Sequence, residues 1–130
     1  MALQVELVSP ERILYSGEAD MVVCRTIGGG EVAFLAGHVP FLAALEIASA
    51  RIKTPGGDYE VAAVHGGFVH VQEDKVVILS DVAEMKDQID TERARQAKGR
   101  AAQASKQDED DTEAEDAVRR AEVRLEVADR

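Results

Sequence analysis

Leu3, Val5 and Leu7 alternate with Gln4 and Glu6, the period-two pattern of a strand with one buried face, and Ser9-Pro10-Glu11 then breaks it as a turn. Further short apolar runs predict strands over 12–15, 19–27, 31–35, 48–53, 59–64, 67–71 and 75–80. Between them stand Ser16-Gly17, Gly28-Gly29-Gly30, Ala36-Gly37-His38, Pro55-Gly56-Gly57-Asp58, His65-Gly66-Gly67 and Glu73-Asp74, residues that let a backbone reverse. Many short strands with regular turns predict a flattened β-sandwich or barrel. Beyond Asp81 the period changes. Ala94, Ala97, Ala101 and Ala104 recur at steps of three and four, and Ala114, Ala117, Ala121, Leu125 and Ala128 follow suit after the acidic run Asp108-Glu109-Asp110-Asp111. The expected architecture is α+β, with a sandwich over residues 1–83 and an antiparallel helical hairpin over 84–130.

Composition sharpens that boundary. All three prolines, nine of the ten glycines, all three histidines and every aromatic residue precede Asp81. A hairpin whose seam is mostly alanine buries few methylene groups, each worth about 0.8 kcal/mol, so its closure is expected to be marginal and open to control by a ligand.

Charge limits the partners. The net charge of −10 is shared equally, with 10 acids and 5 bases up to residue 80 and 15 acids and 10 bases after it. Neither part offers the basic surface that nucleic acid needs. No apolar run reaches spanning length, and Met1-Ala2-Leu3 leads straight into a strand pattern with no basic leader. The expected location is cytosolic. The single Cys24 lies in Met21-Val22-Val23-Cys24 and is expected to be a buried, inert thiol.

Catalytic and metal chemistry find no constellation. Gly28-Gly29-Gly30-Glu31 lacks both the third glycine of a dinucleotide fingerprint and the Lys-Ser/Thr of a phosphate loop, so it reads as a turn. His38 reads as a turn residue bonded to backbone, with an interface role as the alternative. His65 and His70, five apart on a strand pattern, face opposite sides and cannot share a metal. No His-Glu-x-x-His and no nucleophile elbow occur, and the acidic run lacks the glycine and terminal glutamate of a calcium loop.

The hairpin arginines leave two readings open. Arg93 and Arg100 are seven apart and share a face of the first helix, while Arg120 and Arg124 share a face of the second. Antiparallel closure brings the second pair back towards Asp90 and Arg93, where forked guanidinium donors could hold a polyphosphate. The other reading is ordinary surface pairing, such as Glu122 with Arg119 and Glu126 with Arg130, with Asp90 a helix N-cap and Ile89 its staple.

Three segments together resemble the epsilon subunit of bacterial F-type ATP synthase. They are Gly30-Glu31-Val32-Ala33-Phe34-Leu35-Ala36-Gly37-His38-Val39-Pro40-Phe41-Leu42, Val64-His65-Gly66-Gly67-Phe68-Val69, and the junction from Leu79-Ser80-Asp81-Val82-Ala83-Glu84 to Ile89-Asp90-Thr91-Glu92-Arg93-Ala94. Ala33 and Ala36 stand where the family usually has glycine and proline. The resemblance implies a non-catalytic rotor subunit that couples proton flow to ATP synthesis. Its implied partners are the gamma subunit, the ring of membrane c subunits touched through Gly29, Gly30, Glu31 and His38, and the alpha/beta head when the hairpin extends and blocks hydrolysis. It also implies a peripheral place on the cytoplasmic face of the bacterial membrane, reached only through partners. No obligatory cofactor or metal follows. A regulatory ATP would be held in the folded hairpin by Glu84, Ile89, Asp90, Arg93, Ala94, Arg100, Arg120 and Arg124, with Asp90 at the adenine or ribose end and the arginines at the phosphates. A different class of function remains open from the residues alone: a sandwich adaptor whose acidic hairpin docks on an unrelated partner.

Overall fold

The computed structural model describes residues 2–108 and 110–129. Eight strands come first: β1 Leu3–Val8, β2 Ile13–Ala19, β3 Met21–Thr26, β4 Gly30–Leu35, β5 Phe41–Lys53, β6 Tyr59–Gln72, β7 Lys75–Leu79 and β8 Ala83–Met85. A short 3-10 turn, Lys86–Gln88, leads to α1 Thr91–Gln107 and α2 Thr112–Ala128. The expected α+β order, sandwich then hairpin, is the order found.

The strands run β2-β1-β7-β6-β5-β3-β4, with β8 added to β6, and among the described pairs only β1 with β7 is parallel. Alternation works as the pattern predicts: Leu3, Val5 and Leu7 are buried beside Val76, Ile78, Val69 and Val71, and Val22, Cys24, Phe34 and Ile52 close the same core. Burial pushes the Cys24 thiol up to about 12, which keeps it protonated and unreactive, as expected of an enclosed thiol.

Two strands depart from the expectation. His65-Gly66-Gly67 does not reverse the chain; β6 runs through it as one 14-residue strand, still paired with β5 from Lys53↔Tyr59 to Phe41↔Val71. Gly66 and Gly67 take φ of +85° and +118°, so the strand bends there without leaving its ladder. The bend lets the first half of β6 pair with β8 and the second half with β7. Likewise β5 begins at Phe41, seven residues before the expected Ala48, and its register against β3 slips between Val23 and Thr26. The Glu73-Asp74 turn forms as predicted, both residues at positive φ as a tight hairpin requires.

Each helix starts on an aspartate. Asp90 Oδ1 accepts the Arg93 N–H at 3.0 Å, and Asp111 Oδ1 accepts that of Ala114 at 3.0 Å. Ala94 and Ala101 of α1 are buried with Ala114 and Ala121 of α2, the alanine seam that the spacing predicts. The hairpin is folded down. Val123 and Val127 of α2 pack on Val61 and Ala63 of β6, with Ile47 and Ile89 at the margin. Arg119 reaches the Ile47 carbonyl at 3.1 Å instead of pairing with Glu122. The suggested Glu126 to Arg130 pair, and Glu109 in the acidic connection, involve residues outside those described.

Candidate functional site

Folding the hairpin onto the sandwich encloses a cleft of about 440 Å³ between β8, the 3-10 turn, α1 and α2. That volume lies within the range of about 300–1,000 Å³ common to small-molecule sites. Its walls are Val82, Glu84, Gln88, Asp90, Arg93, Ala94, Ala97, Arg100 and Arg124. Arg93, Ala97 and Arg100 follow the helical repeat and so share one face of α1, while Arg124 arrives from the antiparallel α2. Three guanidinium groups against two carboxylates make this lining locally cationic in a chain of net charge −10.

Glu84 anchors the cleft. Its Oε1 accepts the Arg124 Nε–H at 2.5 Å and the His65 Nε2–H at 3.2 Å. The bond from His65 and the bond and charge of Arg124 hold the Glu84 carboxyl below its usual range, against a desolvation that works the other way. This ion pair ties α2 to β8, so its contribution is present above the usual carboxylate value and is lost as pH falls through the lowered one. Acid titration watched by α2-to-sheet proximity should therefore show the hairpin loosening only once the pH is below the ordinary glutamate range. A Glu84→Gln chain with the same acid dependence would show that another carboxylate controls docking.

Asp90 is both N-cap and cleft lining, since capping uses Oδ1. The side chains of Arg93 and Arg100 have no ion-pair partner among the described residues. Such pre-placed, unneutralised guanidinium groups are what an incoming anion needs. Not every expected residue enters the cleft. Arg120 turns to Glu113 at 2.7 Å, and Ile89 packs beneath the helices with Val61 and Val127. Glu84, placed by the sequence at the head of the hairpin, belongs to β8 and pairs in register with Ala63. His65 and Gln88 were missed as neighbours of the site; only the β6 to β8 register brings His65 to Glu84.

The profile of the ATP synthase delta/epsilon chain β-sandwich domain matches residues 2–86. An ATP synthase epsilon chain of Streptomyces griseus is 44% identical over 123 residues, covering 95% of this chain and 92% of the relative. The chain belongs to the ATP synthase epsilon-chain family. The epsilon chain of Halalkalibacterium halodurans is similar too, 42% identical over 132 residues and covering 98% of each. A subunit of the Euglena gracilis mitochondrial ATP synthase shares the fold, with a TM-score of 0.73 over 98% of this chain and 78% of that one at 24% identity. Membership makes this epsilon-family chain a rotor subunit of an F-type ATP synthase, the function expected from its three sequence segments.

Gly29 and Gly30 shape the β3 to β4 turn, where Thr26 Oγ1 bonds the Gly30 carbonyl and leaves no room for a side chain at Gly29. Glu31 follows on β4 and pairs with Arg51. His38 lies beyond the far end of that strand, its Nδ1 2.7 Å from the Val39 carbonyl and its ring edge-on to Phe34. Gly29, Gly30 and Glu31 therefore occupy one end of β4 and His38 the other, about 17–20 Å apart along a strand of this length. Around His38 the apolar side chains Leu35, Val39 and Leu42 are exposed, Leu42 to 70%. A separate, mainly apolar groove is formed by Val8, Pro10, Gly67, Phe68 and Leu79 with Ser9, Ser80 and Asp81 along it, and Phe68 and Leu79, which pair across β6 and β7, remain 55% and 50% exposed. Among the described residues no helix is long and apolar enough to cross a membrane, and no cluster of metal ligands occurs.

Proposed function

We propose that this epsilon-family chain is a non-catalytic regulator within the rotor: its sandwich holds the gamma subunit and faces the c-ring, and its hairpin is held down by ATP. The observation that carries the regulatory part is the cleft, where Arg93 and Arg100, without an ion-pair partner among the described residues, join the Arg124–Glu84 pair and Asp90 over an alanine floor. Phosphates take the guanidinium forks, and the carboxylate of Asp90 takes hydroxyl or amino donors from the ribose or adenine. ATP contacts both helices and β8 only while the hairpin is closed, so its binding energy adds to the thin alanine seam. Loss of ATP frees the hairpin to extend towards the alpha/beta head and block hydrolysis.

The Phe68 and Leu79 groove supports the gamma contact, because an apolar surface of this kind on an otherwise acidic chain is what a permanent partner covers. The exposed Leu35, Val39 and Leu42 around His38 support that end as the one turned to the ring. The chain is thereby peripheral to the cytoplasmic face of the membrane through its partners. Phe68→Asp is expected to cut gamma capture by the tagged chain at least tenfold, since a charge would be buried in an apolar contact; capture equal to the parent would move the docking face elsewhere. Assembled complex lacking everything after Asp87 should hydrolyse ATP faster than the parent complex when ATP is scarce. Equal rates would leave the hairpin a brace without inhibitory action.

A further inference from the structure

His65 and Arg124 bond the same oxygen, Glu84 Oε1, one from the sheet and one from α2. The His65 side chain is 1% exposed, whereas those of Glu84 and Arg124 are 25% and 26% exposed, so the histidine end of the cluster is closed to water and the arginine end is open to it. Because Glu84 is held as a carboxylate, the hydrogen between the two belongs to His65 Nε2. A neutral ring then carries its lone pair on Nδ1, which is buried and has no hydrogen-bond partner among the described residues. That nitrogen is the place for a second proton.

We propose that a proton on His65 and the guanidinium of Arg124 are rivals for Glu84, so that protonating His65 releases Arg124 for phosphate. In the phosphate clause the proposal rests on the ATP reading above. Two cations on one carboxylate oxygen repel, so the bond to Arg124 weakens when the ring becomes charged. Conversely, a ligand that draws Arg124 away leaves the Glu84 charge facing His65 alone, and its own phosphates add negative charge nearby. Both changes favour the ring proton, and linkage makes the effect reciprocal: proton and phosphate strengthen each other's binding. The cost of a proton on Nδ1, which has no partner among the described residues, enters with and without the ligand alike and does not alter the sign. The charged groups that share the cleft are Asp90 at the N-cap of α1 and Arg93 and Arg100 on α1; on the other side Arg119 of α2, with Asp116 of α2 and Glu46 of β5 near it, reaches the carbonyl of Ile47, the β5 residue opposite His65. None of them contacts Glu84. His65 acts through Glu84 and Arg124 and is thus a positioning residue.

Two measurements on the full chain test this. In the first, the His65 ring resonance is followed against pH without nucleotide, in the parent and in Arg124→Gln. Its midpoint should rise by about half a unit or more when the rival cation is gone; equal midpoints overturn the proposal whatever ATP does. In the second, ATP is titrated calorimetrically in buffers of different ionisation enthalpy, in the parent and in His65→Gln. The parent should take up the larger fraction of a proton, and its affinity should gain on that of the variant as the pH falls, by at most about tenfold per pH unit for a single linked proton. Equal uptake overturns the proposal. A raised midpoint with no ATP binding at all supports the rivalry and defeats only the nucleotide reading of the cleft. If His65→Gln does not fold, the Arg124→Gln titration decides alone.

Discussion

Arg124→Ala is expected to weaken ATP binding by roughly tenfold to a hundredfold, the loss of one charge-assisted hydrogen-bonding group worth about 1.5–3 kcal/mol. Arg124 is the only cleft residue contributed by α2 among the described lining, so it is the group through which a bound phosphate would grip the second helix. Removing it should do two things at once. The affinity falls, and whatever ATP still binds no longer holds α2 down. Arg100→Ala should lower affinity while leaving ATP able to close the hairpin, because Arg100 and the remaining cleft groups of α1 are on the other helix. Arg120→Ala, whose side chain is engaged by Glu113, should have little effect. Calorimetry paired with a distance label between α2 and β5 would check all three. Equal losses at Arg120 and Arg124 would mean that both turn inward when ligand is present.

Gly67→Ala is expected to destabilise the sandwich by about 3 kcal/mol or more. A Cβ there would lie 2.0 Å from the Leu79 carbonyl oxygen and 2.9 Å from Ser80 Cα, backbone atoms that cannot swing aside, and φ of +118° is outside the range of L side chains. The strain is placed where β7 ends and the chain turns towards β8, so Glu84 should be displaced together with the strand. Gly56→Ala serves as the comparison, since nothing lies within 4 Å of an added Cβ. Thermal unfolding of Gly67→Ala is expected about 10 °C or more below the parent and that of Gly56→Ala close to it. A Gly67→Ala chain that melts with the parent would contradict the bend.

Much of this was legible in the sequence because it is local. Alternation in Leu3, Val5 and Leu7 gives β1, Asp90 before the first alanine repeat gives the start of α1, and the two alanine repeats give the helical pair. What escaped depends on pairing across the chain. Gly66-Gly67 reads as a reversal because glycine pairs usually allow one; the register with β5, which is the same on both sides of Gly66, makes it a bend instead. β8 is three residues long, with no period to detect, yet its pairing with β6 sets Glu84 beside His65. For the arginines, helical spacing places Arg93 and Arg100 on one face, but cannot tell whether a neighbour such as Glu113 claims Arg120 first. Gly29 and His38, which the family resemblance names together as a ring contact, stand at the two ends of β4, a separation that their closeness in sequence does not reveal.

ATP in the cleft should keep the hairpin folded. The most direct test is a titration of the isolated full-length chain with ATP, read by the distance between a label on α2 and one on β5. A saturable closing at or below millimolar ATP, lost in Arg124→Ala, is expected; a distance that does not respond to ATP in the parent chain would rule out an ATP-held hairpin.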